Sequence, residues 1–431
     1  TGLGALALYN NTTASNNTAV GYQAAYSNVT GTGVNAFGYQ ALYSNTGSGN
    51  SAFGGFWTGN YYAALQSNTS GTSNAAFATG ALGTNSTGSY NTALGTAALY
   101  SNTTASNNTA VGYQAGYSNT TGYSNSAVGL SALYYNTTGS SNSAMGVNAL
   151  YSNTTASNNT AVGYQALYYN TTGSSNSAVG VNALLNNTTG SQNSAMGVSA
   201  LVSNTTGNYN SAMGVSALQS NTTGNYNSAV GMNALYYNTT GIYNSAVGYQ
   251  ALQNNTGSYN SAMGGVALYS NTTGTNNSAM GASALQSNTT GSSNSAIGQQ
   301  ALFSNTTASY NTAVGYQAGY GSNAINCVAV GAQALYGSNT GESNIAVGFS
   351  ALRNNTSGIR NTAVGGDASG SAYGPLSANT TGNLNSAFGA VALVANTTGS
   401  YNVGLGAQAL YSNTTASNNT AVGYQAGYSG A

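Results

Sequence analysis

Asn176-Ser177-Ala178-Val179-Gly180-Val181-Asn182-Ala183-Leu184-Leu185-Asn186-Asn187-Thr188-Thr189-Gly190-Ser191-Gln192 is followed at once by Asn193-Ser194-Ala195-Met196-Gly197, the same opening restarted 17 residues later. A fixed period dictates architecture before any local propensity does. With the glycine of this opening as phase marker, Gly112, Gly129, Gly146, Gly163, Gly180, Gly197, Gly214, Gly231 and Gly248 follow one another at steps of 17. The same phase extends outward to Gly4 and Gly423, giving 25 coils, with Ala78 standing once in the glycine's place. Three steps are 16 residues (Gly38 to Gly54, Gly248 to Gly264, Gly315 to Gly331) and two are 24 (Gly54 to Ala78, Gly365 to Gly389).

Within the period, an apolar β-former precedes the glycine (Val179, Met196, Met213, Val230) and a leucine follows it by four (Leu184, Leu201, Leu218, Leu235). These two columns are the expected core, with Ala and Gly between them allowing close backbone approach. A strand-helix-strand unit needs about 30 residues, so a coil of two short strands and two turns is expected instead. Asparagine recurs seven after the glycine (Asn170, Asn187, Asn204) and four before it (Asn159, Asn176, Asn193). Both columns fall at expected corners, where asparagine accepts left-handed backbone angles. Coils stacked at about 4.8 Å would let these amides bond to their copies above and below. A disordered polar tract is the rival reading of such a composition. It gives no reason to hold Leu and Val in phase with one glycine through more than twenty copies.

Among 431 residues there are two Lys+Arg, two Asp+Glu, no histidine, 60 glycines and 35 tyrosines. Nucleic acid and anionic membrane surfaces require clustered Lys or Arg, so neither is an expected partner. No apolar run of about 18 residues is present, which leaves no segment reading as a membrane-spanning helix. Cys327, the single cysteine, offers no disulfide within the chain and reads as a buried or spacer thiol. General acid-base and nucleophilic catalysis need a tunable His, Lys or carboxylate, and only Glu342 and Asp367 are available. No catalytic, cofactor or metal site is expected, and the chain is read as not an enzyme. Thr1 follows neither an initiator methionine nor a signal peptide. Processing, or excerpting from a longer chain, is therefore expected.

The Asn-(Ser/Thr)-Ala-Val-Gly core resembles the head repeats of trimeric autotransporter adhesins, most closely at Asn326-Cys327-Val328-Ala329-Val330-Gly331 and at Asn344-Ile345-Ala346-Val347-Gly348. The longer units Tyr39 to Gly47 and Tyr249 to Gly257 also look like repeat regions of phage-type tail fibres. The resemblance covers essentially the whole chain. It implies an all-β, left-handed parallel β-roll, three identical chains sharing a core, and a location outside the cell, on a cell or virion surface. The usual adhesin-head repeat is shorter than 17 residues, so the Asn-Thr-Thr-Gly corner is an extension here.

The expected architecture is therefore one continuous parallel β-solenoid over residues 1–431, as a homotrimer, with loop insertions near 55–77 and 366–388. Its expected role is a structural or adhesive fibre segment, shaft or head, with surface glycans or a host-cell receptor as further partners. The insertions hold the only tryptophan and the only proline. Insertions in solenoids lodge as loops on one face, often a binding face. Phe56, Trp57, Tyr61, Tyr62, Asp367, Tyr373 and Pro375 are accordingly the candidate contact residues, on protruding loops. Glu342 and Arg360 fall nearly above one another on consecutive coils and form a candidate inter-coil ion pair. Tyrosine columns lie one after the glycine (Tyr113, Tyr164, Tyr249), five after it (Tyr100, Tyr134, Tyr151) and five before it (Tyr226, Tyr243, Tyr259). Stacked rings between coils are expected there, the functional alternative being a glycan-binding face. Regular Thr and Asn columns also fit an ice-binding surface, and Asn187, Asn204 and Asn221 fit the Asn-x-Ser/Thr glycosylation pattern.

Overall fold

The computed structural model describes residues 1–55, 61–366 and 373–429. The chain divides into two compact units, Thr1–Ser216 with Ser220–Thr223, and Ala217–Gln219 with Gly224–Ala431. Each unit is an all-β parallel solenoid. The first carries 13 short strands, from Gly2–Leu3 to Ser211–Met213, and the second 12, from Ser228–Val230 to Thr420–Val422. Within a unit consecutive strands pair in parallel and in register, as Thr160, Ser177 and Ser194 do through Ala161, Ala178 and Ala195. No helix occurs among the described residues.

Each coil has one strand rather than the expected two. In the coil quoted above, the strand is Ser177–Val179, and the remainder is a chain of tight turns. Ala183, Leu185 and Asn187 donate their N–H groups to the carbonyls three residues back, Gly180, Asn182 and Leu184, at 3.1–3.4 Å. The residues between them bond to neighbouring coils. Asn182 N–H donates back to Tyr164 O at 3.0 Å, while Leu184 and Asn186 donate forward to Ala200 O and Val202 O, both at 3.0 Å. This alternation requires left-handed angles at Asn182 (φ 57°) and Leu184 (φ 51°). A left-handed angle costs an L-residue about 1–2 kcal/mol, and burial of the leucine with its inter-coil hydrogen bond offsets it. At the phase glycine the constraint is steric as well. Gly180 has φ 135°, and a Cβ there would lie 2.5 Å from Gly197 O.

The interior is narrower than expected. Ala178, Ala183 and Leu184 are all 0% exposed, so the leucine column is core. The Val/Met column is not. Met145, Met196 and Met213 are 50–56% exposed and Val230 is 38%. Side chains alternate along a strand, so placing Ala178 inward sends Ser177 and Val179 outward. The bore has room for two alanines, a leucine and two asparagines per coil.

Those asparagines are the polar half of the core. Asn187 Nδ2 donates to Asn170 Oδ1 in the preceding coil at 2.7 Å and to Gly190 O at 2.8 Å, while its Oδ1 accepts from Asn204 Nδ2 at 2.7 Å. In the other column Asn176 Oδ1 accepts the backbone N–H of Asn193 at 2.9 Å, and Asn176 Nδ2 also reaches Gly190 O at 2.8 Å. The expected amide ladder is thus present and buried. Buried amides left unpaired would each cost about 1–3 kcal/mol, so stacking satisfies groups that an isolated coil could not.

Length variation leaves the register intact. The 24-residue steps keep Ser51 opposite Ala75 and Thr362 opposite Ser386, with the extra residues outside the strand pairing. Val34 takes one asparagine place in its coil, and at a further fault Ser322 and Cys327 occupy both. Asn305 Oδ1 and Asn311 Nδ2 then lack protein partners. Asn339 Nδ2 reaches Ser322 Oγ at 3.3 Å and Cys327 Sγ at 3.7 Å across the fault. Cys327 is 3% exposed, in keeping with its reading as a buried thiol, and burial pushes that thiol up from its ordinary pKa.

Candidate functional site

The side chain five after the phase glycine lies directly above its copies, half-buried on the outside of the coil at Tyr26, Tyr43, Tyr100, Tyr117, Tyr134, Tyr151 and Tyr168. Where this residue is aromatic the rings stack. In the first unit Tyr9, Tyr26 and Tyr43 stack at 5.3 and 5.1 Å, and Tyr100, Tyr117, Tyr134, Tyr151 and Tyr168 continue at 5.0–5.4 Å. In the second unit Phe303, Tyr320 and Tyr336 stack at 5.0 and 5.2 Å, the Arg353 guanidinium lies 5.6 Å over Tyr336, and Tyr411 stacks on Tyr428 at 4.8 Å. A second stack, five before the glycine, joins Tyr226, Tyr243 and Tyr259 at 4.8 and 5.3 Å. One after the glycine, Tyr113, Tyr164 and Tyr249 have no aromatic residue one coil away, so the expected inter-coil stacking is observed in the other two columns. Burial first, and neighbouring tyrosines second, raise the phenol pKa of Tyr100, Tyr117, Tyr134 and Tyr168 and hold Tyr151 at about 12.

Each unit has one break in its column beside an insertion. In the first unit the places between Tyr43 and Tyr100 fall to Gln66 and Gly83. Tyr62, from the first insertion, stacks on Tyr100 at 6.1 Å with the planes 15° apart. Tyr61 packs edge-on against the same ring at 5.3 Å, and its hydroxyl accepts from Gln114 Nε2 at 3.0 Å. Glycine at 83 makes this docking feasible, since a Cβ there would lie 3.2 Å from Tyr62 Cβ and 3.1 Å from Tyr100 Cε2. Tyr61 and Tyr62 therefore lie against the column, not on the protruding part of a loop.

In the second unit the places between Arg353 and Tyr411 fall to Ser377 and Val394. Tyr373 lines this break, but among the described residues Tyr428 is the one ring that stacks on Tyr411. A cavity of about 220 Å³ lies there, lined by Asn354, Tyr373, Ser377, Val394, Ala395 and Tyr411. Ser377 is 1% exposed, and its Oγ has no protein hydrogen-bond partner. Tyr373 is 54% exposed at the end of the second insertion. Pro375 departs from the expectation of a protruding contact residue. It is buried, and its carbonyl accepts Leu352 N–H at 3.1 Å, so it already belongs to the coil backbone. Phe56, Trp57 and Asp367 lie outside the described residues.

Glu342 and Arg360 meet through the backbone, Arg360 N–H donating to Glu342 O at 3.0 Å. Their side chains form no ion pair, nor does any other pair among the described residues. Asn187, Asn204 and Asn221 are 0% exposed, with Nδ2 engaged in the ladder, so glycan attachment there is incompatible with the folded coil. No cluster of three His, Cys, Asp or Glu side chains occurs among the described residues. The sequence showed the tyrosine column, but the breaks could be found only by aligning the inserted coils through their hydrogen bonds. Neither a protein-family model nor a curated protein sequence matches the chain.

Proposed function

We propose that the chain is a structural or adhesive segment of an extracellular fibre, the shaft or head of a cell-surface or virion appendage, built as a parallel homotrimer of left-handed coils. One observation carries the reading. The Val/Met column before the phase glycine and the column just after it both face outward, giving two adjacent apolar stripes. In the first unit they include Met145, Met196, Met213, Val181, Val198 and Val215, each 41% or more exposed, and the second unit continues the pattern with Met232, Met263 and Met280 at 46–51%. Contiguous apolar surface of this kind marks an association face. Its residues repeat once per coil and carry no charge, and a second copy of the chain has the same axial repeat and the same chemistry. Shared burial would also cover backbone edges.

An ice-binding role fits less well, because the corner threonines engage their hydroxyls with the next coil, as Thr188 Oγ1 does with Thr205 O at 3.0 Å. Sedimentation equilibrium tests the proposal. The purified chain is expected at three times its 42.6 kDa mass, and Met196→Lys with Met213→Lys is expected to shift it to the single-chain mass with its β-type circular dichroism retained. A parent protein that stays monomeric at high micromolar concentration would overturn it.

A further inference from the structure

The two column breaks beside the insertions differ in one respect: in the first a tyrosine stacks on the ring beyond the break, and in the second a cavity lies against that ring. We propose that the cavity beside Ser377 and Val394 binds a phenolic ring, the chemistry of a tyrosine side chain, in the place of the column's missing aromatic residues. The inference is independent of how copies of the chain associate.

Four observations converge on this ligand. Tyr411 stacks on Tyr428 with one face, at 4.8 Å, which leaves its opposite face to the cavity that it lines. Ring stacking at 4.8–5.4 Å is the rule in this column wherever two aromatic residues follow one another. The corresponding break in the first unit shows the solution realised within the chain, since Tyr62 stacks there on Tyr100. Finally, the buried Ser377 Oγ, without a protein partner, provides a polar anchor that can donate to or accept from a phenol hydroxyl. Size agrees. At about 220 Å³ the cavity is below the roughly 300–1,000 Å³ of sites for drug-sized molecules and above the roughly 150 Å³ that suffices for benzene in an apolar protein cavity. A single substituted ring fits that range. Arg353, engaged over Tyr336, adds no charge requirement, so the ligand is neutral.

Titration of the full chain with p-cresol, followed by saturation-transfer NMR and calorimetry, tests the proposal. Saturable binding is expected, at least fivefold tighter than that of toluene, with Ser377→Ala abolishing the difference. Val394→Tyr supplies a ring from within and is expected to weaken p-cresol at least tenfold. Should that variant lose its β-type circular dichroism, Tyr411→Leu replaces it and must weaken p-cresol by the same factor. Affinity that falls as protein concentration rises would mean that a tyrosine of a second copy competes for the same place, which supports the phenol chemistry and identifies its source. No saturable binding, unchanged binding in the folded variants, or equal binding of methyl glucoside would overturn it.

Discussion

An asparagine side chain both donates and accepts, and that duality lets one residue type build a column of any length. Asn153 shows the full pattern, donating to Asn136 Oδ1 at 2.7 Å and to Ala156 O at 3.0 Å while accepting from Asn170 Nδ2 at 3.0 Å. Aspartate has nearly the same shape but no donor. Asn153→Asp would set a buried carboxylate against two acceptors, an arrangement costing about 3 kcal/mol or more. A drop of that size in urea-unfolding free energy is expected at pH 7; an unchanged midpoint would show the ladder to be dispensable. Where sequence places Ser322 in the first of these columns, Asn305 Oδ1 loses the amide donor that a copy would supply. The ladder was legible from spacing, because identical amides at a fixed period place a donor beside an acceptor from one coil to the next. Its depth was not, since asparagine at a corner is ordinarily exposed.

At the scale of the coil, three residues of strand are too few for alternation to reveal which face is inward. Val179 and Leu184 are both good core residues by composition, yet only the leucine is buried, because the narrow bore accepts Ala178 at the strand and has no room for a larger side chain. The left-handed angle of the leucine was equally hidden, since L-residues seldom adopt it and nothing local demands it. The consequence can be measured. Leu150→Ala should lower stability by about 2–5 kcal/mol through a cavity, whereas Met145→Ser, at a 56% exposed position, should stay within about 0.5 kcal/mol in the single-chain state. Equal effects would mean that inside and outside are wrongly assigned.

The stacked column gives the coil a pH response. Tyr151 is held at about 12, above the usual phenol value of 10.0, through burial first and then its neighbour Tyr135. A raised folded-state value means that the neutral ring is favoured by folding. The stabilisation is complete below pH 10 and is lost as pH rises from 10 through 12. Melting temperature should therefore be flat from pH 8 to 10 and fall beyond it, in step with phenolate absorbance at 295 nm. Full phenolate formation by pH 11 with no change in melting would contradict the stacking account.

For the molecule as a whole, repetition replaces the usual diversity of a core. Stability of a stacked array is a sum over coils and their interfaces, so small insertions and deletions are absorbed wherever register is kept. Three 16-residue and two 24-residue steps were legible in the sequence, and their strands remain paired. What could not be read was which tyrosine would close a break, since Tyr62 reaches Tyr100 only through a coil alignment that the inserted residues obscure. The outward Val/Met column places apolar surface on the exterior, which is where the proposed association of copies would bury it.

The central claim is that, within each unit, the coils bury asparagine amides that are held by hydrogen bonds to the neighbouring coils. Protein carrying nitrogen-15 only at asparagine side chains, moved into deuterium oxide at neutral pH, tests it directly. Asn187 and Asn204 are 0% exposed and Asn176 and Asn193 are 1%, and their counterparts recur through both units. Most of the side-chain amide signal should persist for hours, because exchange would require the coils to open. Loss of nearly all of it within minutes, from a protein whose circular dichroism remains β-type, would contradict the account.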